Sequence, residues 1–385
     1  MEGSFTPATA MVTHTTLDIA ETELHELEQA LAALGAPRFH ARQIFQWVHK
    51  RGVTDFARMS DLSRELRLRL AEQLTLTTPD VVRREQSADG TTKLLLRLRD
   101  GKLIESVCIP EHSSGSAANP EDVERLTFCL STQVGCAMKC AFCLTGRMGI
   151  DRNLTAGEIV GQVRILAREL DALDARFTIV LMGMGEPLHN YDETMKALRM
   201  LADEHGLAVS PRRVTLSTVG VLPGLERLAT EPLMPNLAIS LHSTTEAQRD
   251  RLVPINRKYG IEELLDACRK FPLKRRERIT FEYVMLKDVN DTPEDARRLV
   301  RLLGGIKAKV NLLPLNEAAG IPFERPSDAA VNRFASILAE RGVTVSVRKS
   351  RGRDIRAACG QLITESSRAA APGRRLAMAM GSAAP

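Results

Sequence analysis

Aromatic side chains are scarce in this chain, 4% of 385 residues with a single Trp, which leaves little material for the stacking platforms that grip single-stranded nucleic acid. No apolar run approaches the ~20 residues of a membrane-spanning helix, so no membrane partner is expected. The opening residues lack the basic start and apolar centre of a secretory leader. Seven Cys in so long a chain also fit a secreted disulfide framework poorly, and a cytoplasmic protein with reduced thiols is the expectation. What is present is a 44% hydrophobic share, ample for a core, and a formal net charge of +5 that is unevenly placed. From Gly342 to Leu376 eight Lys or Arg stand against Asp354 and Glu365, and Arg38, Arg42, Lys50 and Arg51 form a second group with no acid between them. Such concentrations suit a phosphate backbone, although a charge run alone is more often a solvated face.

Three of the Cys fall within eight residues, Cys136-Ala-Met-Lys-Cys140-Ala-Phe-Cys143, at C-x₃-C-x₂-C spacing. A four-iron cube normally takes four thiolates, so a loop that brings three leaves one iron open to a reactive ligand. A structural zinc site would want a second C-x₂-C or a His nearby, and none lies in roughly the next thirty residues. An electron-transfer cluster would want a fourth thiolate, for which Cys129 is the nearby candidate.

Residues 1–16, small and polar, are expected to be a disordered N-terminus. Residues 17–80 read as a small helical domain, because Leu24, Leu27, Leu31, Leu34, then Ile44, Phe45, Val48, then Leu62, Leu66, Leu70 recur at three- and four-residue intervals. Residues 81–124 form a β-hairpin linker: Lys93–Arg99 and Lys102–Pro110 flank the turn signal Asp100-Gly101, and a polar loop, Glu111–Glu124, is expected to be mobile. From 125 to 350 strand-like runs alternate with helical ones about six times, which predicts an α/β fold, a partial TIM-like (β/α)₆ barrel with the helical domain and the hairpin as extensions. A basic loop, 351–364, holds Cys359, and 365–385 is an Ala-rich tail expected to be disordered.

Ligands of such a barrel sit at the carboxyl ends of its strands. Cys136–Cys143 follow the first core strand, Gly183-Met-Gly185-Glu186-Pro187 the second, Ser217 ends the third, Ser240-Leu241-His242 the fourth, and Asn316 follows the sixth. In isolation each of these is a cap or turn, Cys359 and Cys129 are small core residues, and Glu105 is an exposed strand acid. The basic surroundings of Cys359 and the adjacent Gly360 predict a lowered thiol pKa in a mobile loop.

With Cys129-x₃-Gln133-Val134-Gly135-Cys136 before the triplet, Gly183–Pro187 after it and Ala358-Cys359-Gly360-Gln361-Leu362 near the end, the chain from about Pro37 to Leu362 resembles the bacterial RNA adenine carbon-2 methyltransferases, a family of radical S-adenosylmethionine (SAM) enzymes. The Glu111–Glu124 loop is longer than that family leads one to expect. The resemblance implies a [4Fe-4S] cluster on Cys136, Cys140 and Cys143, and SAM held by Glu186, Pro187, Ser217, Ser240, Leu241, His242 and Asn316. It implies two SAM per turnover, methylation of Cys359, attack of Cys129 on Cys359 to release product, and Glu105 as the base for the carbon-2 proton. The implied substrates are 23S rRNA near the peptidyl-transferase centre and tRNA just 3′ of the anticodon, gripped by the helical domain and the basic C-terminal region. A reductant such as flavodoxin or ferredoxin and a monomeric enzyme are further expectations. Cys108 and Cys268 match no family position and are read as structural. Carbon-8 methylation of the same ribosomal adenosine stays open as an alternative, as does a non-enzymatic RNA-binding protein with a structural metal; the helical domain and the Ile355–Gln361 context favour carbon 2.

Overall fold

The computed structural model describes residues 17–112, 123–173 and 175–364. The expected disordered ends and residues 113–122 of the expected mobile loop lie outside the described residues, while positions 111–112 and 123–124 of that loop belong to strands.

A two-residue parallel ladder, β1 (Leu17–Asp18) with β2 (Leu74–Thr75), ties the start of the helical domain to its end. Between them run α1 (Leu24–Ala33), α2 (Phe39–Phe45, continued by a wider turn to Lys50) and α3 (Arg64–Gln73). Side chains satisfy free N–H groups at the first turns of α1 and α3. Glu23 N donates to the Glu26 carboxylate at 2.8 Å and Leu66 N to Ser63 Oγ at 3.2 Å. Leu27, Leu31, Ile44, Phe45, Val48, Leu66 and Leu70 meet in one buried core, as their spacing predicts.

The next four strands, β3 (Asp80–Gln86), β4 (Thr92–Arg97), β5 (Leu103–His112) and β6 (Val123–Cys129), are antiparallel neighbours. The hairpin expected at Asp100-Gly101 is present, with Gly101 at φ 82°. β3 is an addition to it. Its residues alternate between exposed and half-buried, so no apolar run announces it.

A short antiparallel pair, β7 (Gln133–Gly135) and β8 (Ile150–Asn153), brackets the Cys loop and the one-turn helix α4 (Leu144–Met148). The parallel sheet then runs from β6 through β9 (Phe177–Leu181), β10 (Val214–Thr218), β11 (Asn236–Ser240), β12 (Ile279–Met285) and β13 (Ala308–Pro314) to β14 (Thr344–Val347). The crossovers carry α5 (Ala156–Glu169), α6 (Tyr191–Ala202), α7 (Leu222–Leu228), α8 (Glu246–Leu252), α9 (Ile261–Lys270), α10 (Pro293–Leu302) and α11 (Asp328–Glu340). Six crossovers thus join seven parallel strands. No pairing closes β14 onto the other end of the sheet among the described residues, which is the order of a partial barrel. β12 has a paired strand on each side, and its alternate residues Ile279, Phe281, Tyr283 and Met285 are all buried.

The helical domain docks on α5 and α6. Gly157 N donates to Glu21 at 2.8 Å, and a Cβ at Gly157 would lie 2.5 Å from Ala20 O, so only glycine permits this approach. Arg199 pairs with Glu23 at 2.6 Å and Lys196 with Glu26 at 2.8 Å. No helix among the described residues is long and apolar enough to cross a membrane.

Candidate active site

A cleft of about 1050 Å³, open to solvent, lies at the carboxyl ends of the parallel strands. One wall is the Cys loop, and its shape is set by glycines. Gly135 takes φ 79°, and a Cβ there would sit 2.0 Å from Gly149 O. That close approach lets Cys136 N donate to Gly149 O at 2.8 Å, which fixes the first thiol. Ala141 N donates to Leu252 O at 2.9 Å and anchors the middle of the loop to the end of α8.

All three thiols face the cleft. Burial pushes Cys136 up to about 12 and also raises Cys140 and Cys143; for Cys136 and Cys140 the neighbouring loop thiols and Glu186 add to the rise. Convergent buried thiols that oppose one another's ionisation are suited to a bound cation, which reverses the penalty. The three sulfurs do not all lie within 4.8 Å of one another, whereas one tetrahedral zinc at ~2.3 Å per bond would draw them to ~3.8 Å. The donor set therefore fits the wide face of an iron–sulfur cluster better than a single zinc ion.

The second wall follows β9. A Cβ at Gly183 would meet Leu130 O at 2.7 Å and one at Gly185 would meet Gln133 N at 2.7 Å, so both glycines are needed to seat this turn against the Cys loop. Glu186 N donates to Gln133 Oε1 at 2.9 Å. The Glu186 carboxyl accepts from Leu188 N at 3.0 Å and Val219 N at 2.9 Å, and burial pushes it up to about 7. Ser217 and Ser240 lie side by side at 3.3 Å. His242 takes φ 59°, and its Nδ1 accepts from Val284 N at 3.0 Å. The proton must therefore sit on Nε2, a donor on a ring that burial holds neutral down to about 3.

Of the residues expected around SAM, Glu186, Ser217, Ser240, His242 and Asn316 line the cleft. Pro187 and Leu241 stand behind it. Pro187 opens a buried 3₁₀ turn, and the Leu241 carbonyl accepts from Arg249 Nε at 3.1 Å.

Cys359 and Gly360 form part of the rim. Gly360 O accepts from Leu144 N at 2.8 Å and Leu362 O from Thr145 Oγ1 at 2.7 Å, which seats the loop on α4. The Cys359 residue is open to solvent through the mouth of the cleft yet walled by protein elsewhere. Its pKa is raised, contrary to the expectation from its basic sequence: desolvation leads, the Glu282 carboxylate adds to it, and Arg348 only partly opposes them. Cys129, at the end of β6, is buried and outside the lining; burial raises its thiol, and the nearby Cys359 raises it further. The two lone thiols are thus electrostatic neighbours.

Glu105 is fully buried on β5, not an exposed strand acid, and lies behind the lining. Its Oε1 is 3.1 Å from Lys93 Nζ and its Oε2 accepts from Ile363 N at 2.8 Å.

Three residues of the site escaped the sequence. Glu282 lines the cleft and accepts from Asn311 at 2.9 Å; an acid within the apolar run Phe281–Met285 was a signal for it. Arg249 is fully buried and donates to Leu241 O, Val219 O at 2.6 Å and Asn256 at 2.9 Å, tying together the ends of β10 and β11. Lys93, 1% exposed at the start of an apolar strand, had no signal.

Residues 130–303 match the radical SAM superfamily, and residues 17–76 match the ribosomal RNA large subunit methyltransferase N-terminal domain. The chain is 49% identical over 371 residues to a dual-specificity RNA methyltransferase RlmN from Anaeromyxobacter dehalogenans, covering 95% of this chain and 96% of that one. It is likewise 49% identical to the protein of the same name from Geobacter sulfurreducens, over 90% of this chain and 92% of the other. Among solved structures it resembles a radical SAM methyltransferase from Sphaerobacter thermophilus, with TM-score 0.83 and 46% identity over 90% of this chain and 99% of that one.

Proposed function

This chain belongs to the RlmN family of dual-specificity RNA methyltransferases, within the radical SAM superfamily, and from that membership we propose that it methylates carbon 2 of adenosine in 23S rRNA near the peptidyl-transferase centre and in tRNA 3′ of the anticodon. Carbon 2 of adenine carries neither a lone pair nor an acidic hydrogen, so it cannot displace the methyl group of SAM directly. Cys136, Cys140 and Cys143 would hold a [4Fe-4S] cluster whose open iron binds SAM and whose electron supplies a hydrogen-abstracting radical.

The protein's own side chains carry the carbon. Cys359 accepts a methyl group from one SAM, loses a hydrogen from it at the expense of a second, and becomes bonded through that carbon to the base. Glu105 takes the carbon-2 proton, and the unpaired electron left on the adduct would pass back to the cluster. Cys129 then attacks the Cys359 sulfur, closing a disulfide; the released carbon keeps the electron pair of the broken C–S bond and takes up a proton to become the methyl group, and an external reductant reopens the disulfide. Glu186, Ser217, Ser240, His242 and Asn316 orient SAM, and His242 does so as a neutral donor from Nε2. Pro187 and Leu241, expected at the same ligand, support that pocket from behind: the Pro187 carbonyl accepts from Thr194 Oγ1 and the Leu241 carbonyl from Arg249 Nε. The target base leaves its stack to enter the cleft. A flavodoxin- or ferredoxin-like reductant and a cytoplasmic monomer complete the reading.

The observation that carries this reading is the convergence of five Cys on one cleft: three in the loop, Cys359 on the rim and Cys129 beside it. The test is anaerobic reconstitution of Cys129→Ala with RNA and SAM. A covalent protein–RNA adduct through Cys359 is expected to accumulate, and normal turnover by this variant would remove Cys129 from the mechanism. Nucleoside chromatography of the wild-type product separates 2-methyladenosine from the carbon-8 isomer.

A further inference from the structure

In the reaction proposed above, on which this inference rests, Cys359 must meet a SAM methyl group, carbon 2 of the base and the Cys129 thiol in turn. Its loop, 351–364, contains no helix or strand. Its position is therefore set by whatever holds it from outside.

Two of its holds come from one place. Lys93, on β4, donates from Nζ to Ile355 O at 2.6 Å, upstream of Cys359. Glu105, on β5, accepts from Ile363 N at 2.8 Å, downstream of it. Lys93 and Glu105 are themselves paired at 3.1 Å. In the β4–β5 register Lys93 lies opposite Val107, so Glu105 is its diagonal neighbour on the same face of the sheet. Glu85, directly opposite Lys93 on β3, adds a second carboxylate at 3.1 Å. This gives β3 a role: it completes a Glu85–Lys93–Glu105 row across three strands, facing the C-terminal loop. An ammonium and a carboxylate with 1% and 0% exposure persist only when paired, and here the pair spans both arms of the loop.

We propose that the Lys93–Glu105 pair is a clamp that sets the Cys359 loop, which makes Lys93 a positioning residue of the methyl transfer. Other bonds hold the loop's upstream end, Asp89 to Gly352 N at 2.9 Å and Ser87 to Asp354. Downstream, Leu144 N and Thr145 Oγ1 donate to the Gly360 and Leu362 carbonyls at 2.8 and 2.7 Å; the clamp differs from these in gripping both arms of the loop from one buried pair. With the clamp closed each Glu105 oxygen already has one partner, Lys93 on Oε1 and Ile363 N on Oε2.

The test uses reconstituted holoprotein under anaerobic conditions. Lys93→Met keeps the apolar stem and removes the charge. Iodoacetamide alkylation of Cys359, followed on its peptide by mass spectrometry, is expected to quicken by ~3-fold or more as the loop loosens. The ratio of 5′-deoxyadenosine formed to adenosine methylated is expected to rise by ~10-fold or more, because a displaced Cys359 wastes SAM cleavage. A merely structural role would lower the melting temperature and leave that ratio unchanged in the folded fraction. Wild-type values for both readouts in a folded Lys93→Met protein overturn the clamp. Should that variant fail to fold, Lys93→Met/Glu105→Gln leaves no unpaired buried charge in the pair and is read by alkylation alone, where a wild-type rate again overturns the clamp. Alkylation needs no RNA, so failure of the clamp and failure of the methylation reading are distinguished.

Discussion

His242 shows what a single buried side chain contributes. Burial first, and Arg249 second, depress its pKa from 6.5 to about 3. Between those values the unfolded chain binds a proton that the folded chain does not, so stability falls as pH drops below 6.5, by about 1.4 kcal/mol per unit. His242→Asn removes that contribution. Urea denaturation of the metal-free protein at about pH 5 should find the wild type losing roughly 2 kcal/mol more, relative to neutral pH, than this variant loses. His49, buried in the helical domain and depressed by burial and by Arg164, supplies a similar loss in both proteins and leaves the difference intact. The residues of the site were legible to unequal degrees. Thiols at C-x₃-C-x₂-C spacing announce themselves, because the chemistry requires them close in sequence. Lys93 and Glu105 are far from Cys359 in sequence and meet its loop only through strand pairing, so nothing local marks them.

At the level of elements, the Cys loop depends on backbone conformations that a side chain would block. Gly135→Ala places a Cβ against Gly149 O at a φ of +79°, where both the contact and the conformation oppose it. Iron and sulfide bound after reconstitution should fall below about half of wild type, while the helical domain, packed on its own core, keeps its circular dichroism. Cluster content equal to wild type would mean that the loop is not held by this contact. The strands and longer helices were readable because apolar periodicity and caps are local: Thr155 with Glu158 opens α5, and Thr292 with Asp295 opens α10. The elements that were not readable have no such signature. β3 is polar with one bulge, and α7 and α8, seven residues each, are too short for periodicity to speak.

For the whole molecule, the basic groups are the feature to test. Arg38, Arg42, Lys50 and Arg51 lie along and around α2, with Arg51 stacked 4.0 Å over Trp47 and Phe39 60% exposed beside them. If this face meets RNA phosphates, changing Arg38, Arg42 and Lys50 together to Gln should flatten the dependence of log affinity on log salt by about 0.7–0.9 for each phosphate no longer neutralised. Filter binding across a salt series measures it, and an unchanged slope would place the neutralising cations elsewhere. The docking of the helical domain on α5 and α6 through Gly157 and the Glu21, Glu23 and Glu26 carboxylates fixes where that face points.

By itself the sequence determined the fold class, the alternation of the longer strands and helices, the three-thiol spacing and the family resemblance, since each rests on motifs whose residues lie near one another along the chain. Only the tertiary structure decided which distant groups meet. It brought Cys129 beside Cys359, turned Glu105 from a strand acid into half of a buried pair with Lys93, drew Glu282 into the cleft and reversed the expected shift of the Cys359 thiol. The physical reason is that a thiol's or carboxyl's behaviour follows from desolvation and neighbouring charge, and both are set by packing across the sheet rather than by adjacent residues.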